Sequence, residues 1–412
     1  MAAAVHLKAH KSLLMWNKLF RFFILFLVFY LFCSCFYLSG QNTTHFKTFY
    51  QDSLIKENYY GYLRNKDTIK NGKYKYFYKN QQIRQKGFYS ENMPTGKWEL
   101  FYRNGQIKKE ITYRKGIKEG PYKVYYEDGS IKQEGHYNNG KLEGTFKTFY
   151  KDGTKESVVE YRKGKTEGLT KIFRPNGELY KKYNIQNGSE NGVWEEYHKN
   201  GQINYKGEKK NGEFEDTLLV YYENGNLQRK CFYENGKLHN KYKAYYNEGQ
   251  LNIKATYQHG KLTGKYYEYH KNGHLLQTGS YKSNNKEGTW HSYYKDGSIH
   301  ARGKFHNDKY EGLWKVYYPN GQLKQTGQYN KGQSVGKWVF LYKNGKLKRT
   351  GNYINDKKEG PWLYFNKEGE FKRIVSFKND IIDGPVWIYN QNKQKKPDKL
   401  LFYQGIPLIT QN

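Results

Sequence analysis

The sequence predicts an all-β protein, an elongated and twisted antiparallel meander of β-hairpins that follows an apolar N-terminal leader helix. Three observations predict it: glycine recurs every 24 residues, strand-forming runs separate the turn signals, and aromatic residues replace aliphatic ones. Leu, Ile, Val and Phe make up only 67 of the 372 residues after Gly40, which with a net charge of +33 would normally indicate disorder. The 44 Tyr, 23 Phe and 8 Trp instead supply an aromatic core, because these rings favour strands and bury large areas.

An apolar segment near the N terminus predicts export. Residues 22–38 are seventeen residues without a charge, and two basic residues precede them closely. Met15 would give the segment a short positive region of the usual kind, which favours Met15 over Met1 as the natural start. Three fates stay open: cleavage near Gly40, lipidation at Cys35, or retention as a membrane anchor through the apolar segment. Each of them places the rest of the chain outside the cytoplasm.

A glycine register runs through the body of the chain. It reaches back to Gln81 and forward to Lys393, where glycine is replaced. An earlier unit that begins near Phe46 lies 28 residues ahead of the next one, so the first unit carries a four-residue insertion. Twelve glycines hold the 24-residue spacing without a slip: Gly105, Gly129, Gly153, Gly177, Gly201, Gly225, Gly249, Gly273, Gly297, Gly321, Gly345 and Gly369. The predicted organisation is a leader (1–40), a divergent first repeat (41–71), tandem repeats (72–389) and a divergent capping repeat (390–412).

Each 24-residue unit is predicted to form a β-hairpin. In the unit that starts at Gly96, two strand-like runs flank Asn104-Gly105, and a second turn follows around Lys115-Gly116. Asn-Gly and Asp-Gly predict type I′ turns, which need a positive φ at both central residues. A helical repeat is excluded because glycine falls every four to eight residues and strand formers fill the gaps.

Pairing across a two-residue turn places a large ring opposite a small residue. Around Gly321, Tyr318 then faces Leu323 and Trp314 faces Gly327. We expect each tryptophan ring to cover the residue that it faces and this face of the sheet to be buried. The other pairs predicted in this way are Trp98 with Ile111, Trp290 with Gly303, Trp338 with Gly351 and Trp362 with Val375.

A second stripe of aromatic residues is predicted on the opposite face, one ring per unit. Such a ladder of rings and ammonium groups suits an extended anionic or sugar ligand. The same pattern also arises when lysine stems simply cover the rings and keep the sheet soluble. The candidate binding residues are Phe101, Tyr125, Phe149, Tyr197, Tyr245, Tyr293 and Tyr317, with the nearby Lys108, Lys132, Lys324 and Lys348.

The repeat resembles a known family. The pattern Tyr-x-Asn-Gly-x-Leu-x-x-x-Gly-x-Tyr-x-x-Gly-Lys-x-x-Gly-x-Trp-x-x-Tyr-Tyr is similar to the MORN-repeat variant, which occurs in tandem in many bacterial exported proteins, some of them catalogued as antitoxin-like. The resemblance implies a β-ribbon of hairpins with a role in binding or scaffolding. The sequence departs from the pattern at Asp216 and Asn240, where a glycine is missing, and at Thr170 and Leu218, where a ring is missing. We therefore expect residues 165–243 to be locally irregular or bent.

No catalytic residue, cofactor or metal site is predicted. Catalysis requires acid, base or nucleophilic groups to converge, whereas a repeat spreads its groups evenly along the chain. The body contains one cysteine, Cys231, and therefore no internal disulfide. Pairing places His291, His300 and His306 on one face of one unit, where two of them could bind a metal, but we expect them to be solvated surface residues.

Charge and export together leave two classes of function. The first forty residues contribute +4 of the net charge of +33, which leaves +29 on the rest of the chain to attract anions. The first class is a noncatalytic binding or scaffold protein of the cell envelope, which engages a protein, an anionic lipid or a polysaccharide. The second is an antitoxin-like or nucleic-acid-binding neutralising protein. Predicted export favours the first class, because an exported chain rarely meets nucleic acid.

Overall fold

The fold consists of β-strands and turns. The structure, a computed structural model, describes residues 43–389 and 396–408, and all of the regular elements in these ranges are strands. The chain divides into two compact units, Met1–Gly153 and Thr154–Asn412. The leader and its predicted helix lie outside the described residues. Over the described ranges, no helix is long and apolar enough to cross a membrane.

The first unit is an antiparallel meander in which each strand pairs with the next, with one exception. The strands Lys141–Leu142 (β9) and Gly144–Phe149 (β10) are separated by one residue and both pair with Ile131–Asn138 (β8). The extra four residues of the first repeat lengthen two strands, since β2 has 10 residues and β3 has 11 where later hairpins have 8 and 9. The strands are β1 (Thr44–Phe49), β2 (Ile55–Arg64), β3 (Asp67–Phe77), β4 (Ile83–Ser90), β5 (Met93–Phe101), β6 (Ile107–Arg114), β7 (Ile117–Tyr125), β8 (Ile131–Asn138), β9 (Lys141–Leu142) and β10 (Gly144–Phe149).

The second unit continues the same pattern, and each of its strands is again antiparallel to the next. Its strands are β11 (Lys155–Arg162), β12 (Lys165–Phe173), β13 (Leu179–Gln186), β14 (Ser189–Tyr197), β15 (Ile203–Lys210), β16 (Glu213–Tyr221), β17 (Leu227–Glu234), β18 (Lys237–Tyr245), β19 (Leu251–Gln258), β20 (Lys261–Tyr269), β21 (Leu275–Lys282), β22 (Asn285–Tyr293), β23 (Ile299–His306), β24 (Lys309–Tyr317), β25 (Leu323–Asn330), β26 (Gln333–Leu341), β27 (Leu347–Ile354), β28 (Lys357–Phe365), β29 (Phe371–Lys378), β30 (Ile381–Ile388), β31 (Asp398–Tyr403) and β32 (Ile406–Leu408). Part of the predicted capping repeat, at residues 390–395 and 409–412, lies outside the description.

The Asn-Gly loop does not form the predicted type I′ turn. Around Gly321, the N–H of this glycine donates to the carbonyl of Tyr318 at 2.9 Å, and the glycine has a φ of 80° while Asn320 does not have a positive φ. This is a type I turn followed by a glycine in the left-handed region, which forms a bulge. Because of the bulge, Leu323 pairs with Tyr317 rather than with Tyr318.

Type I′ geometry occurs instead at the second turn of each repeat. Lys331 and Gly332 have φ values of 49° and 91°, and Asn330 pairs directly with Gln333 across them. A two-residue loop of this kind matches the twist of the flanking strands. The two turns of a repeat therefore use different solutions, and each repeat presents one tight and one wider turn.

A bulge tilts five of the described tryptophans over a glycine of the preceding strand. Between β25 and β26, the pairs on either side of the bulge leave Gly327 opposite residues 336–338. The ring of Trp338 therefore lies across Gly327, so that a Cβ built on this glycine would lie 2.0 Å from the ring. The predicted backbone pairing of Trp314 with Gly327 is correct, but the ring of Trp314 covers a different glycine. The other observed covers are Trp98 on Gly87, Trp290 on Gly279, Trp314 on Gly303 and Trp362 on Gly351.

The face that carries these tryptophans, hereafter the tryptophan face, is buried as predicted. Trp362 is fully buried and Trp338 is 4% exposed. Each ring also meets, edge to face, the aromatic residue two positions after the glycine that it covers, as Trp338 meets Tyr329 at 5.1 Å. Such pairs add stability beyond the area that they bury. Trp314 is the exception among these rings, since it is only half-buried.

The predicted irregularity of residues 165–243 does not occur in the strand pairing. Asp216 and Asn240 adopt φ values of 62° and 63°, the left-handed conformation that glycine has at the equivalent positions. Asp and Asn tolerate this conformation better than other residues with a Cβ. Thr170 and Leu218 are buried where other repeats place a ring. The ladder therefore keeps its register and its bulge through this region.

Hydrogen bonds between turns tie each repeat to the next. The tyrosine that begins the Asn-Gly loop donates its hydroxyl to a backbone carbonyl 23 residues later, as Tyr318 does to Leu341 at 3.0 Å. The asparagine of the same loop also donates to a carbonyl 23 residues later, as Asn320 does to Lys343. Sequence analysis missed this role, although the tyrosine recurs with the glycine register. The other tyrosines that form this bond are Tyr78, Tyr102, Tyr126, Tyr222, Tyr246, Tyr294 and Tyr342, and Tyr50 forms the equivalent bond to the carbonyl of Phe77, 27 residues later.

Candidate functional site

In each unit, the face opposite the tryptophan face carries a row of directly paired residues, hereafter the charged column. It contains the residue that follows each tryptophan position, which alternation directs to the other face. In the first unit its members include Lys75, Lys86, Glu99, Glu110, Lys123, Glu134 and Lys147. In the second unit they include Lys171, Lys182, Glu195, Lys206, Leu219, Lys230, Lys243, Lys254, Tyr267, Thr278, His291, Arg302 and Lys315.

Several charges in the first unit compensate one another across the strands, although Lys75 stands opposite Lys86 and Glu99 opposite Glu110. The Nζ of Lys86 lies 2.7 Å from a carboxylate oxygen of Glu99, and Lys147 lies 2.9 Å from Glu134. Glu99 has a lowered pKa, because contacts with lysines outweigh its desolvation. Opposite charges at directly paired positions stabilise a sheet.

The second unit leaves part of the same column without compensation. Glu195 binds Lys182 at 2.7 Å and Lys206 at 3.7 Å. Further along the column, however, Lys230, Lys243 and Lys254 stand opposite one another on three adjacent strands. Within the described ranges, none of these three lysines has a carboxylate partner at ion-pair distance. Directly opposed like charges destabilise a sheet, so this run is a local concentration of positive potential.

Four of the candidate rings lie beside members of this column. The guanidinium of Arg302 lies 5.8 Å from the ring centroid of Tyr317, and the ammonium of Lys86 lies 5.2 Å from that of Phe101. The hydroxyls of Tyr125 and Tyr197 donate to column glutamates, Glu110 and Glu195 respectively. Burial and this hydrogen bond raise the pKa of Tyr125 and that of Tyr197 to about 12.

The remaining candidate rings are also half-buried. Tyr293 stacks on His291, a column member, with 6.4 Å between the ring centroids. Phe149 and Tyr245 make a backbone contact: the carbonyl of each accepts a hydrogen bond from the hydroxyl of the loop tyrosine in the preceding repeat. Each candidate ring therefore belongs to the repeat scaffold as well as to the surface.

The candidate lysines occupy a different place from the column. The Nζ of Lys324 lies 5.7 Å from the ring centroid of Tyr318, the tyrosine that joins successive turns. The other three contact the equivalent tyrosines in the same way, at 5.2–5.5 Å: Lys108 on Tyr102, Lys132 on Tyr126 and Lys348 on Tyr342. These lysines are exposed at the looped edge, whereas the charged column runs along the strand centres.

The three histidines of one unit have separate partners. His306 pairs with Glu287 at 3.0 Å, while His300 contacts the hydroxyl of Ser292 at 3.3 Å. The structure instead brings together Glu234, His239 and His259, whose possible ligand atoms all lie within 4.8 Å of one another. Pairing alone could not reveal this cluster, because its members come from successive tight turns.

In this second cluster, the Nδ1 of His239 lies 3.3 Å from a Glu234 oxygen and accepts the backbone N–H of His259 at 3.5 Å. A carboxylate accepts the equivalent N–H in other repeats, as Glu311 does from Lys331. His239 thus substitutes for an acceptor that shapes the tight turn.

The fold and this surface define a class of protein, a tandem β-hairpin repeat whose side chains form long rows across the strands. The chain belongs to the MORN repeat variant family. Nine tandem matches to the family model cover residues 94–115, 118–139, 142–163, 190–211, 217–235, 238–259, 262–283, 310–331 and 334–355. The structure extends the same hairpin geometry to intervening segments that the family model does not match, such as 284–309.

Comparisons with individual proteins add little. No protein of curated function matches the chain significantly. Among solved structures, a crystal structure of TcdB2-TccC3 matches at 11% identity over 88% of this chain and 25% of that chain, with a TM-score of 0.15. A structure of TcdB2-TccC3 without its hypervariable C-terminal region matches at 10% identity over 88% and 24%, with a TM-score of 0.16. The present chain thus spans about a quarter of the chains that it matches.

Proposed function

We propose that this protein is a noncatalytic binding protein of the cell envelope, which engages an acidic polysaccharide along the charged column of its second unit. The observation that carries the proposal is the run of Lys230, Lys243 and Lys254. Directly opposed like charges destabilise a sheet. A bound row of anions would remove this cost.

The geometry of the run favours a linear polymer. Adjacent strands lie about 4.7–4.9 Å apart, so directly paired lysines form a straight row across the sheet. A polysaccharide with one carboxylate on each sugar presents its charges in such a row. The half-buried stripe rings beside the column add flat apolar surface on which sugar rings stack. A repeat distributes its functional groups along the chain instead of bringing them together at one point. This distribution is the basis for proposing binding rather than catalysis.

The envelope location rests on the sequence of the leader. An uncharged apolar segment at 22–38 after basic residues is typical of export. Mass spectrometry of the N terminus of the protein isolated from its native cells tests this part. Recovery of the intact chain from the cytoplasm, with the leader unprocessed and unanchored, would contradict it.

The polysaccharide is tested with the full chain and two matched triple variants. The probe is polygalacturonate, with its fully methyl-esterified form as a neutral control. Lys230→Gln/Lys243→Gln/Lys254→Gln should weaken binding at least tenfold at low salt and flatten the dependence of affinity on salt, because a polyelectrolyte contact depends on the charges that it neutralises. The control removes three charges from the looped edge instead, through Lys108→Gln/Lys324→Gln/Lys348→Gln.

Equal losses in the two triple variants would mean that net charge alone attracts the polymer, and the column proposal would fail. Binding of the esterified form, of anionic vesicles or of single-stranded DNA in preference to polygalacturonate would assign a different partner. The rings are tested by Tyr293→Ala and Tyr317→Ala, which should weaken binding at every salt concentration, because stacking is not screened by salt.

A further inference from the structure

A pocket of about 320 Å³ lies on the tryptophan face of the second unit, and its lining includes one member of the charged column, His291. This volume lies within the range of pockets that hold small ligands. Its lining combines aromatic rings, among them Trp314 and Tyr310, with polar side chains such as Ser292, His300 and Gln325. The repeat pattern gives no reason for a pocket here, so its origin lies in local departures from that pattern.

Small side chains create the depression. Next to the tryptophans on the same face runs a second row of paired residues, which here consists of Ser292, Ala301 and Val316. Near Trp362 the same row carries bulky side chains that cover the tryptophan, whereas the stretch at Ala244 also contains a small one. Arg349, for example, lies over Phe340 at 4.3 Å and within 6.0 Å of the Trp362 ring centroid. Three small residues in succession leave the space above Trp314 unfilled.

Trp314 lines this pocket and differs from most tryptophans of the same face in its aromatic neighbours. Four others have a more nearly parallel aromatic neighbour, at interplanar angles of 26–37°. Among the described residues, the aromatic neighbours of Trp314 all meet it edge-on, at interplanar angles of 84–90°. One face of its indole rests on Gly303, and the ring also lines the pocket. Tyr310, at the rim, is 42% exposed.

The polar and charged groups of the pocket determine which kinds of ligand can bind there while stacking on the indole. The ammonium of Lys286 lies in the pocket wall, 4.2 Å from the ring centroid of Trp290, and its pKa is lowered by burial. A cationic ligand would be repelled by this charge. The Ser292 hydroxyl, the His300 imidazole and the Gln325 amide offer both donors and acceptors to a neutral ligand rich in hydroxyl groups.

We infer that this pocket is a binding site for one pyranose ring of a neutral glycan, which stacks its C–H face on Trp314 and directs hydroxyls to Ser292, His300 and Gln325. An apolar floor with a few fixed polar groups is the usual arrangement of a small-ligand site. The lysine run of the charged column is not part of the pocket lining, and neither site requires the other.

The test uses the full chain and three neutral probes: cellohexaose, chitohexaose and maltohexaose. Binding is followed by calorimetry and by tryptophan fluorescence. At least one probe should bind with an affinity that does not change between low and high salt. Trp314→Ala should weaken that binding at least tenfold, because it removes the stacking surface.

A matched pair of variants separates the pocket from general effects on the fold. Ala301→Leu fills the pocket and should abolish binding while Trp314 remains. Ala244→Leu makes the same change in the same row outside the pocket, at a residue that is also 9% exposed, and should leave binding unchanged. Circular dichroism checks that each variant folds.

The inference is overturned if none of the three probes binds at millimolar concentration, if binding survives both Trp314→Ala and Ala301→Leu, or if tetramethylammonium binds the pocket in preference to the sugars. Loss of polygalacturonate binding in the lysine variants would leave this result unaffected, so the two proposals fail separately.

Discussion

Replacing Gly327 with alanine should have two opposing effects on the free energy of unfolding. The φ of this glycine is not positive, so an alanine fits the backbone and would stabilise the protein by about 0.4–1 kcal/mol through the unfolded state. The new Cβ, however, would lie 2.0 Å, 2.1 Å and 2.5 Å from three ring atoms of Trp338. Carbon atoms pack at about 3.5–4.0 Å, so the ring would have to move by about 1.5 Å.

Packing should decide the outcome. Trp338 is 4% exposed, with Tyr329 at 5.1 Å and Tyr353 at 5.8 Å between ring centroids, so the ring has little room to move. Overpacking of a core costs about 1–3 kcal/mol, and expulsion of the ring would approach the cost of about 3–5 kcal/mol for losing a buried tryptophan. Both exceed the gain through the unfolded state. We therefore expect Gly327→Ala to destabilise this region.

A double-mutant cycle tests the ring assignment itself. Hydrogen exchange of peptides that cover residues 323–354 reports local stability, which suits a repeat protein whose unfolding need not be two-state. In a Trp338→Ala background, Gly327→Ala should be neutral or stabilising, because the clash is gone. The backbone partner Trp314 provides the control. Coupling of Gly327 to Trp314 instead of Trp338 would refute the tilt of the rings over the preceding strand.

Three further predictions follow from the burial, backbone and ionisation of single residues. Trp362→Ala should cost about 3–5 kcal/mol, and Trp314→Ala less, because Trp362 is fully buried and Trp314 is half-buried; hydrogen exchange near each site measures both. Asp216→Gly should raise local stability by up to about 1 kcal/mol, since it relieves a left-handed φ of 62°, and a loss of stability would contradict this conformation. The raised pKa of Tyr125, about 12, reflects burial and its bond to Glu110, so its stabilising contribution is complete below pH of about 10 and is lost as the pH rises to about 12. Tyr125→Phe should remove one late-titrating group from the tyrosinate absorbance, and loss of a group that titrates near pH 10 would contradict the assignment.

Burial gives the lone body cysteine a structural role. Cys231 is 4% exposed, its thiol donates to the carbonyl of Leu218 at 3.5 Å, and desolvation raises its pKa. A thiol of this kind reacts slowly because little thiolate forms. Cys231 occupies the position at which other repeats have glycine, and Leu218 occupies the position at which they have a ring. A larger residue in place of the glycine therefore accompanies a smaller residue in place of the ring on the adjacent strand.

The sequence by itself determined the fold class, the repeat length and the backbone pairing of the tryptophans. These properties depend on periodicity, which a single chain displays completely: a 24-residue glycine register fixes the turns, and alternation assigns residues to faces. It also identified the family, because the spacing of glycine and aromatic residues is specific.

The tertiary structure decided everything that depends on a bulge or on contact between repeats. One bulge sends the ring of Trp338 back over Gly327, and another places Tyr317, not Tyr318, opposite Leu323; no count of residues across an ideal turn includes either bulge. The row of lysines that have no carboxylate partner and the pocket beside Trp314 likewise arise where side chains from several strands meet. The charge of the lysine row depends on the lack of nearby carboxylates, and the pocket depends on the lack of bulky side chains. Which side chains are neighbours across strands is decided by the strand register, not by order along the chain.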